Sequence, residues 1–328
     1  MGQYEHLTIS EREDIMCMRR EGLSVREVAR RLGRDGSTVS RELSRNSREG
    51  LYRASDAQAA ADGRRLRCVR PRILDDPALG SLVQRLIRDE RWSPEQVAGR
   101  VRLEGGRPVV SAATIYRAVD GHRLDPPELA GTKRGLRSRL RHRGKRRHRG
   151  GEEERRGKIR VAHDITERPA EAEARTRLGD WEADTVAGLR GGPCLVTAVD
   201  RMSGYLVGGK ASARNAYAVG GVMVASLAGL PLETVTPDRG AEFAGSDEVS
   251  AALGVEFYFA LPRHPWERGT NENTNGLLRE YFPKGCDLSG VSDEEVAEAY
   301  DDLNHRPRKR LGYRTPYEVF HSVVLRLL

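Results

Sequence analysis

Between residues 24 and 45, SVREVARRLGRDGSTVSRELSR, apolar side chains recur at Val25, Val28, Ala29 and Leu32. That is the i, i+3, i+4, i+7 rhythm of a helix with one buried face. Ser24 and Glu27 read as a capping box at its start. Gly33 to Gly36 supply a turn, and Ser37 is expected to cap a second helix that buries Val39 and Leu43. Thr38, Ser40, Arg41 and Arg45 are then left outside. Upstream, Ser10 and Glu13 mark another helix start, followed by Ile15, Met16 and Met18 and a stop at Gly22. Three short helices in this layout predict a helix-turn-helix, whose second helix enters the major groove of DNA. Ser37, Thr38, Ser40, Arg41 and Arg45 are the expected contacts; a helical bundle without a ligand is the alternative.

A weaker version of the pattern follows. Trp92 leads into SPEQVAGRV, with Ser93 as cap, Pro94 in the first turn and Gln96 completing a box. After a longer loop, SAATIYRAVDG can pack through Ala112, Ile115 and Val119 and turn Thr114 and Arg117 outward. A second DNA-binding module and a structural helical subdomain both fit this spacing.

From residue 178 the period shortens. LGDWEADTVAG, PCLVTAVDR and GYLVGGKAS read as three successive strands. Residues 213–229 predict a helix with Ala218, Val222 and Ala225 facing inward. LETVTPDRG is then a strand ending in a polar loop, SDEVSAALG a helix and VEFYFAL another strand. A last helix follows in RGTNENTNGLLREYFPKG. Its beginning is unusual: Asn271, Asn273 and Asn275 alternate with Glu272, Thr274 and Gly276, nearly all poor helix formers. Three strands, helix, strand, helix, strand, helix is the order of the ribonuclease H fold. The expectation is an all-α helix-turn-helix region followed by an α/β domain with a mixed five-stranded sheet.

Charge sharpens this division. Residues 1–150 hold 34 Lys+Arg against 20 Asp+Glu, whereas residues 151–328 hold 22 against 28. Such asymmetry between halves suggests a front that binds nucleic acid. Much of it lies in GTKRGLRSRLRHRGKRRHRG, residues 131–150, with ten Lys+Arg and no acid. This reads as a solvated linker whose Arg143, Lys145, Arg146 and Arg147 would follow a phosphate backbone without sequence preference. No apolar run is long enough to span a membrane, and no signal peptide is present, so a cytoplasmic, nucleoid-associated protein is expected. The four cysteines form no CxxC pair, which argues against a zinc site.

The acids of the back half fall in suggestive places. Asp180, Glu182 and Asp184 share one face of the first strand, so two of the three are expected in a humbler role, at the surface. Asp238 follows the fourth strand, and Glu272 sits in the unusual helix, with 33 residues between them. Carboxylates from such elements can converge on a pair of divalent ions for phosphoryl transfer.

The chain resembles bacterial insertion-sequence transposases of the IS thirty family, among the DDE transposases and integrases. The resemblance is carried by SVREVARRLGRDGSTVSREL, WSPEQVAGR with TIYR, GDWEADTVAG, TPDRGAEF, PWERGTNENTNGLLREYFPKG and LNHRPRKRLGYRTPYEVF. It implies a catalytic and metal-binding triad of Asp184, Asp238 and Glu272, with Asp184 chosen because WEAD matches the family's Trp-x-x-Asp. Two magnesium (or manganese) ions would be the cofactors. Ala183 and Arg239 depart from the family's usual Gly and Asn. Arg268, Gly269, Asn275, Gly276 and Arg279 are expected on the Glu272 face of the helix. Arg306, Arg308, Lys309 and Arg310, with Arg268 and Lys284, are further expected DNA contacts.

The expected organisation is a helix-turn-helix domain in 1–50, a second helical region in 51–130, a basic linker in 131–170 and a catalytic domain in 171–328. The expected partners are element ends, target DNA and further copies of the chain, with no membrane. Two rivals remain. One is a helix-turn-helix regulator with an inactive transposase-derived core; the other is a ribonuclease H-type nuclease.

Overall fold

The computed structural model of the chain describes residues 6–48, 50–68, 71–141, 162–261 and 269–328. It divides into two compact units, residues 1–72 and 73–328.

The first unit contains α1 (Ile9–Arg20), α2 (Val25–Leu32), α3 (Gly36–Asn46) and α4 (Ala54–Cys68). Its core gathers Ile15, Val28, Ala29, Val39, Tyr52 and Ala57, so the inward positions of α1 to α3 stand as expected. Two caps differ. Thr8 and Glu11, not Ser10 and Glu13, make the reciprocal box that starts α1. Asp35, not Ser37, caps α3: its carboxylate accepts the Ser37 N–H at 2.7 Å, which moves Ser37 into the first turn. Ser24 accepts the Glu27 N–H as expected, but the Glu27 carboxylate goes to Arg30 and Arg31 instead of closing the box. Arg12 and Glu42 form a buried ion pair at 2.8 Å, to which the Tyr52 hydroxyl also donates.

In the second unit, α5 (Pro77–Arg88), α6 (Pro94–Gly105) and α7 (Ala112–Asp120) pack around Val83, Leu86, Ile87, Trp92, Val97, Ile115 and Val119. The Ser93–Gln96 capping box forms as expected. Leu136, inside the basic stretch, is fully buried in the same core. Its apolar side chain therefore folds the front of that stretch onto the helices, and the solvated-linker expectation does not hold up to residue 141.

The remaining elements are β1 (His163–Asp164), α8 (Ala170–Ala174), β2 (Asp180–Ala187), β3 (Cys194–Asp200), β4 (Leu206–Ala211) and α9 (Ala216–Leu227). Then follow β5 (Thr234–Thr236), α10 (Ser246–Leu253), β6 (Glu256–Phe259), α11 (Gly269–Leu278), α12 (Asp293–Asn304) and α13 (Pro316–Phe320). The sheet order is β1-β6-β5-β2-β3-β4, with β2, β3 and β4 antiparallel and the other pairs parallel. The sheet is mixed, as expected, but has six strands instead of five. The extra strand is two residues long, too short for an alternating pattern to reveal. The other five keep the ribonuclease H order.

Alternation along β3 divides the core. Cys194, Val196 and Ala198 join Trp181, Val219, Met223 and Phe257 on the α9 side. Leu195 and Val199 join Leu277, Leu278 and Leu303 on the α11 and α12 side. Helix α9 buries Val219, Met223 and Leu227, one or two positions beyond the expected Ala218, Val222 and Ala225. Its sequence, AYAVGGVMVASL, has almost no polar residue to mark an outer face, so periodicity could not choose. Arg100, 1% exposed, forms a bidentate ion pair with Glu318 at 2.6 and 2.9 Å and donates to the Leu325 carbonyl. No helix among the described residues is long and apolar enough to cross a membrane.

Candidate functional site

The asparagines of α11 are pegs that dock the helix on the sheet. Asn271 is fully buried; its Nδ2 donates to the Glu182 carbonyl at 3.0 Å and its backbone N–H to the Glu182 carboxylate at 2.9 Å. Asn275, one turn later, donates from Nδ2 to Asp184 Oδ2 at 3.0 Å. Between them lies Thr197 of β3, whose single hydroxyl proton is within reach of both Asn271 Oδ1 and Asn275 Oδ1. Buried polar groups are costly unless paired, and these are paired to one another, so the helix has one register against the strands. Asn275 was expected on the Glu272 face; from there it reaches β2 and holds the Asp184 carboxylate.

Glu182 and Asp180 correct the expectation that Asp184's strand neighbours sit at the surface. Both are fully buried. Glu182 pairs with Arg201 at 2.6 Å while capping the amino end of α11, and Asp180 pairs with Arg177 and accepts from the Thr234 hydroxyl. Burial lowers the Arg201 pKa, and the Glu182 charge opposes that shift. The face that carries these acids is covered by α11, α8 and their loops, so each acid is paired instead of solvated.

The parallel register of β2 and β5 pairs Glu182 with Thr236. Asp184 and Asp238 each follow the last paired residues of this register by two positions. Asp238 is buried and accepts the Gly240 N–H at 2.9 Å. A fourth acid, Glu242, closes in on it. A Cβ at Gly240 would lie 2.5 Å from Glu242 Oε2 and 2.8 Å from Asp238 Oδ1, so a larger residue there would push the two carboxylates. Glu242 is charge-paired with Arg214 and accepts from the Thr185 hydroxyl at 3.0 Å. Arg239, the departure from the family's Asn, is tied to Asp164 and the Ala260 carbonyl, away from these groups.

Glu272 is exposed on the first turn of α11 and lines a cavity of about 1040 Å³. Arg91, Arg139, Arg141 and Arg279 line the same cavity. At Gly276 a Cβ would meet the Arg141 guanidinium at 2.5 Å, so the glycine makes room for that cation. Arg141 also donates to Asn273 Oδ1, and Arg91 lies 4.2 Å over the Tyr281 ring. Among the described residues, no three His, Cys, Asp or Glu side chains gather closely enough to hold a metal ion. The oxygen donors of Asp184, Asp238, Glu242 and Glu272 are those a hard divalent cation prefers.

Of the expected DNA contacts, Ser37, Ser40, Arg41 and Arg45 are exposed on α3 and Thr38 is half-buried. On α7, Arg117 is exposed, and Thr114 is half-buried with its hydroxyl against Ser111. Lys284 and Lys309 are exposed, Arg308 is half-buried, and Arg306 is turned inward onto Glu280 and the Tyr281 hydroxyl, which its expected role did not foresee. Arg143, Lys145, Arg146, Arg147 and Arg268 lie outside the described residues. Sequence reasoning missed Glu242, Arg91, Arg139 and Arg141. For Glu242 the signal was present, as an acid four residues after Asp238 in DRGAEF.

A family model described as a helix-turn-helix domain matches residues 3–46. The transposase of insertion sequence element IS4351 from Bacteroides fragilis is 38% identical, covering 98% of this chain and 97% of that protein. The transposase of element IS1086 from Cupriavidus metallidurans is 39% identical, covering 98% and 96%. Transposase InsI of element IS30A from Escherichia coli is 36% identical, covering 97% and 84%. The catalytic core domain of BIV integrase aligns with 44% of this chain and 93% of its own, at 19% identity and a TM-score of 0.36.

Proposed function

The chain belongs to the insertion-sequence transposases of the IS thirty family, and on that premise we propose that it binds the terminal inverted repeats of its element, cuts a DNA strand there and joins the freed 3′ hydroxyl to target DNA. The observation that carries this reading is the meeting of β2, β5 and α11: Asp184 and Asp238 each follow the last β2–β5 pair by two positions, and Asn275 ties Asp184 to the helix that bears Glu272. Glu272 and Asn275 are three apart, neighbours on the helix surface.

Asp184 and Asp238 suit the fixed half of a cation site, and Glu272, exposed and rotatable, the movable half. Two magnesium or manganese ions bound there would activate the attacking oxygen and relieve charge on the leaving oxygen. Asn275 orients Asp184, and Arg214 balances Glu242 so that its charge does not oppose Asp238. The arginines around the Glu272 cavity place phosphates, which position DNA without reading it. Thr38, Ser40 and Arg41 of α3 read base edges in the element end, with Ser37 and Arg45 on its backbone. Bringing two element ends together calls for a homo-oligomer on DNA.

Asp184→Asn, Asp238→Asn and Glu272→Gln should each abolish cleavage and joining in a purified strand-transfer assay while element-end binding persists. Normal strand transfer by any one of them would remove that residue from the triad. The second reading, a DNA-binding regulator with an inactive core, is favoured by the lack of a gathered ligand set among the described residues. Specific binding without cleavage in magnesium or manganese would select it; cleavage that needs either ion and stops in chelator would exclude it.

A further inference from the structure

Beyond the Glu272 cavity, on the other flank of Asn273, lies a smaller cavity of about 280 Å³. Arg175, Arg308 and Arg310 line it together with Gly204, Thr270 and Asn273, and no acidic residue is among the described residues that do. The three cations arrive from separate places: the end of α8, and both sides of Lys309 in the segment after α12. None of them has an ion pair among the described residues. Arg310 spends one N–H on the Met202 carbonyl at 2.7 Å and Arg308 one on the Leu303 carbonyl at 3.0 Å. Arg175 stands in the left-handed backbone region, φ +56°, which costs a non-glycine residue energy and points to a constraint on where its side chain goes.

The floor of this cavity is the amino end of α11, a ten-residue helix. Glu182 already caps that helix end, so the positive charge of the cavity comes from the three guanidiniums. Three guanidiniums around a space of this size match the donor demand of a tetrahedral phosphate.

We infer that this cavity is a phosphate-binding cradle for the DNA strand entering the active site. The inference rests on the transposase reading. The electrostatics agree: burial and then the neighbouring Arg306, Arg310 and Arg141 lower the Arg308 pKa. A bound phosphate would relieve that crowding. The cradle and Glu272 lie on two flanks of one helix about 10 Å across. At 3.4 Å of rise per nucleotide in a strand, the phosphate it holds is within about three nucleotides of the one being cut.

The test uses the full chain and a duplex carrying the element end, with binding read by fluorescence anisotropy and cleavage on gels. Methylphosphonates, each removing one phosphate charge, are walked along the strand to be cut, for the parent protein, Arg175→Gln and Arg310→Gln. One position within about three nucleotides of the cut should weaken binding about tenfold in the parent and leave the variants indifferent. Equal losses in parent and variants at every position would overturn the cradle and leave the transposase reading standing. A parent that neither binds the element end specifically nor cuts it would overturn both. Inorganic phosphate at constant ionic strength distinguishes a free anion: if it raises the parent's Tm but not that of Arg175→Gln, and no methylphosphonate position is special, the DNA assignment is overturned. Arg175 is exposed, so its variant keeps the test readable even where Arg310→Gln folds poorly.

Discussion

Helices α3 and α11 are both short and both rich in Ser, Thr, Asn and Gly, yet they treat those residues in opposite ways. Helix α3 buries Val39, Glu42 and Asn46 on its inner side and leaves its other polar residues, Ser37, Ser40, Arg41 and Arg45, in solvent. Helix α11 buries Asn271 and Thr274 along with Leu277 and Leu278 and leaves its glutamate outside. A polar group in water tolerates many arrangements, whereas one in the interior must find a matched partner. Exposed polar residues therefore leave α3 free to adapt to a ligand. Buried ones fix α11 to within a hydrogen bond of β2 and β3, which is the tolerance a catalytic carboxylate needs.

If that contrast is right, conservative changes should be severe beneath α11 and mild on α3. The largest effect is expected for Glu182→Gln, which takes from the buried Arg201 its buried carboxylate and keeps the exposed Glu173. The loss should be roughly 3 kcal/mol, a fall in Tm of about 6–12 °C; a scan matching the parent would show that α11 does not depend on this pair. Asn275→Leu should follow, with single-turnover cleavage reduced about 10–100-fold and element-end affinity unchanged, as for residues that orient a metal ligand. Asn275→Asp, which cannot donate to Asp184, should not restore it.

On the other helix, Arg41→Ala should cost about 1–3 kcal/mol of discrimination between the element end and a mismatched site. Cleavage within preassembled complexes should be unaltered, so a change in that rate would break the division of labour between the helices. The smallest effect concerns acid. Arg34 bonds the Glu11 carboxylate and holds its pKa at about 2, below the ordinary value of 4.5. Because the folded value is depressed, the stabilisation is present above pH 4.5 and disappears as pH falls toward 2. It should amount to at most about 1 kcal/mol. Acid unfolding of residues 1–72 should shift little for Glu11→Gln, and a large shift would place that pair among the main supports of the unit.

The amphipathic helices and five of the strands were legible because one side of each element meets water and the other does not. That contrast is absent in α9, where nearly every residue is apolar, and the inward stripe was misplaced by one or two residues. It is also absent from β1, whose two residues carry no period. The candidate triad was legible through local motifs, but its supports were not. Asn275 reaches Asp184 across 91 positions and Asn271 reaches Glu182 across 89. Nothing near either asparagine in sequence names its partner. The buried state of Glu182 escaped for the same reason, since its cation, Arg201, lies at the far end of the next strand.

The Arg100–Glu318 pair also has a history in time. A ribosome makes Arg100 four residues before Glu104, its partner within α6, but 218 before Glu318, which holds it in two bonds, and 225 before the carbonyl of Leu325. Until then α6 carries a guanidinium with one of its two carboxylates and an unfinished core. The first unit waits for nothing of the kind, since its Arg12 finds Glu42 only 30 residues on. Nascent chains should therefore display a finished amino-terminal unit ahead of an unfinished remainder. Messages cut before codon 318 should yield fragments that cellular proteases trim back toward residue 72.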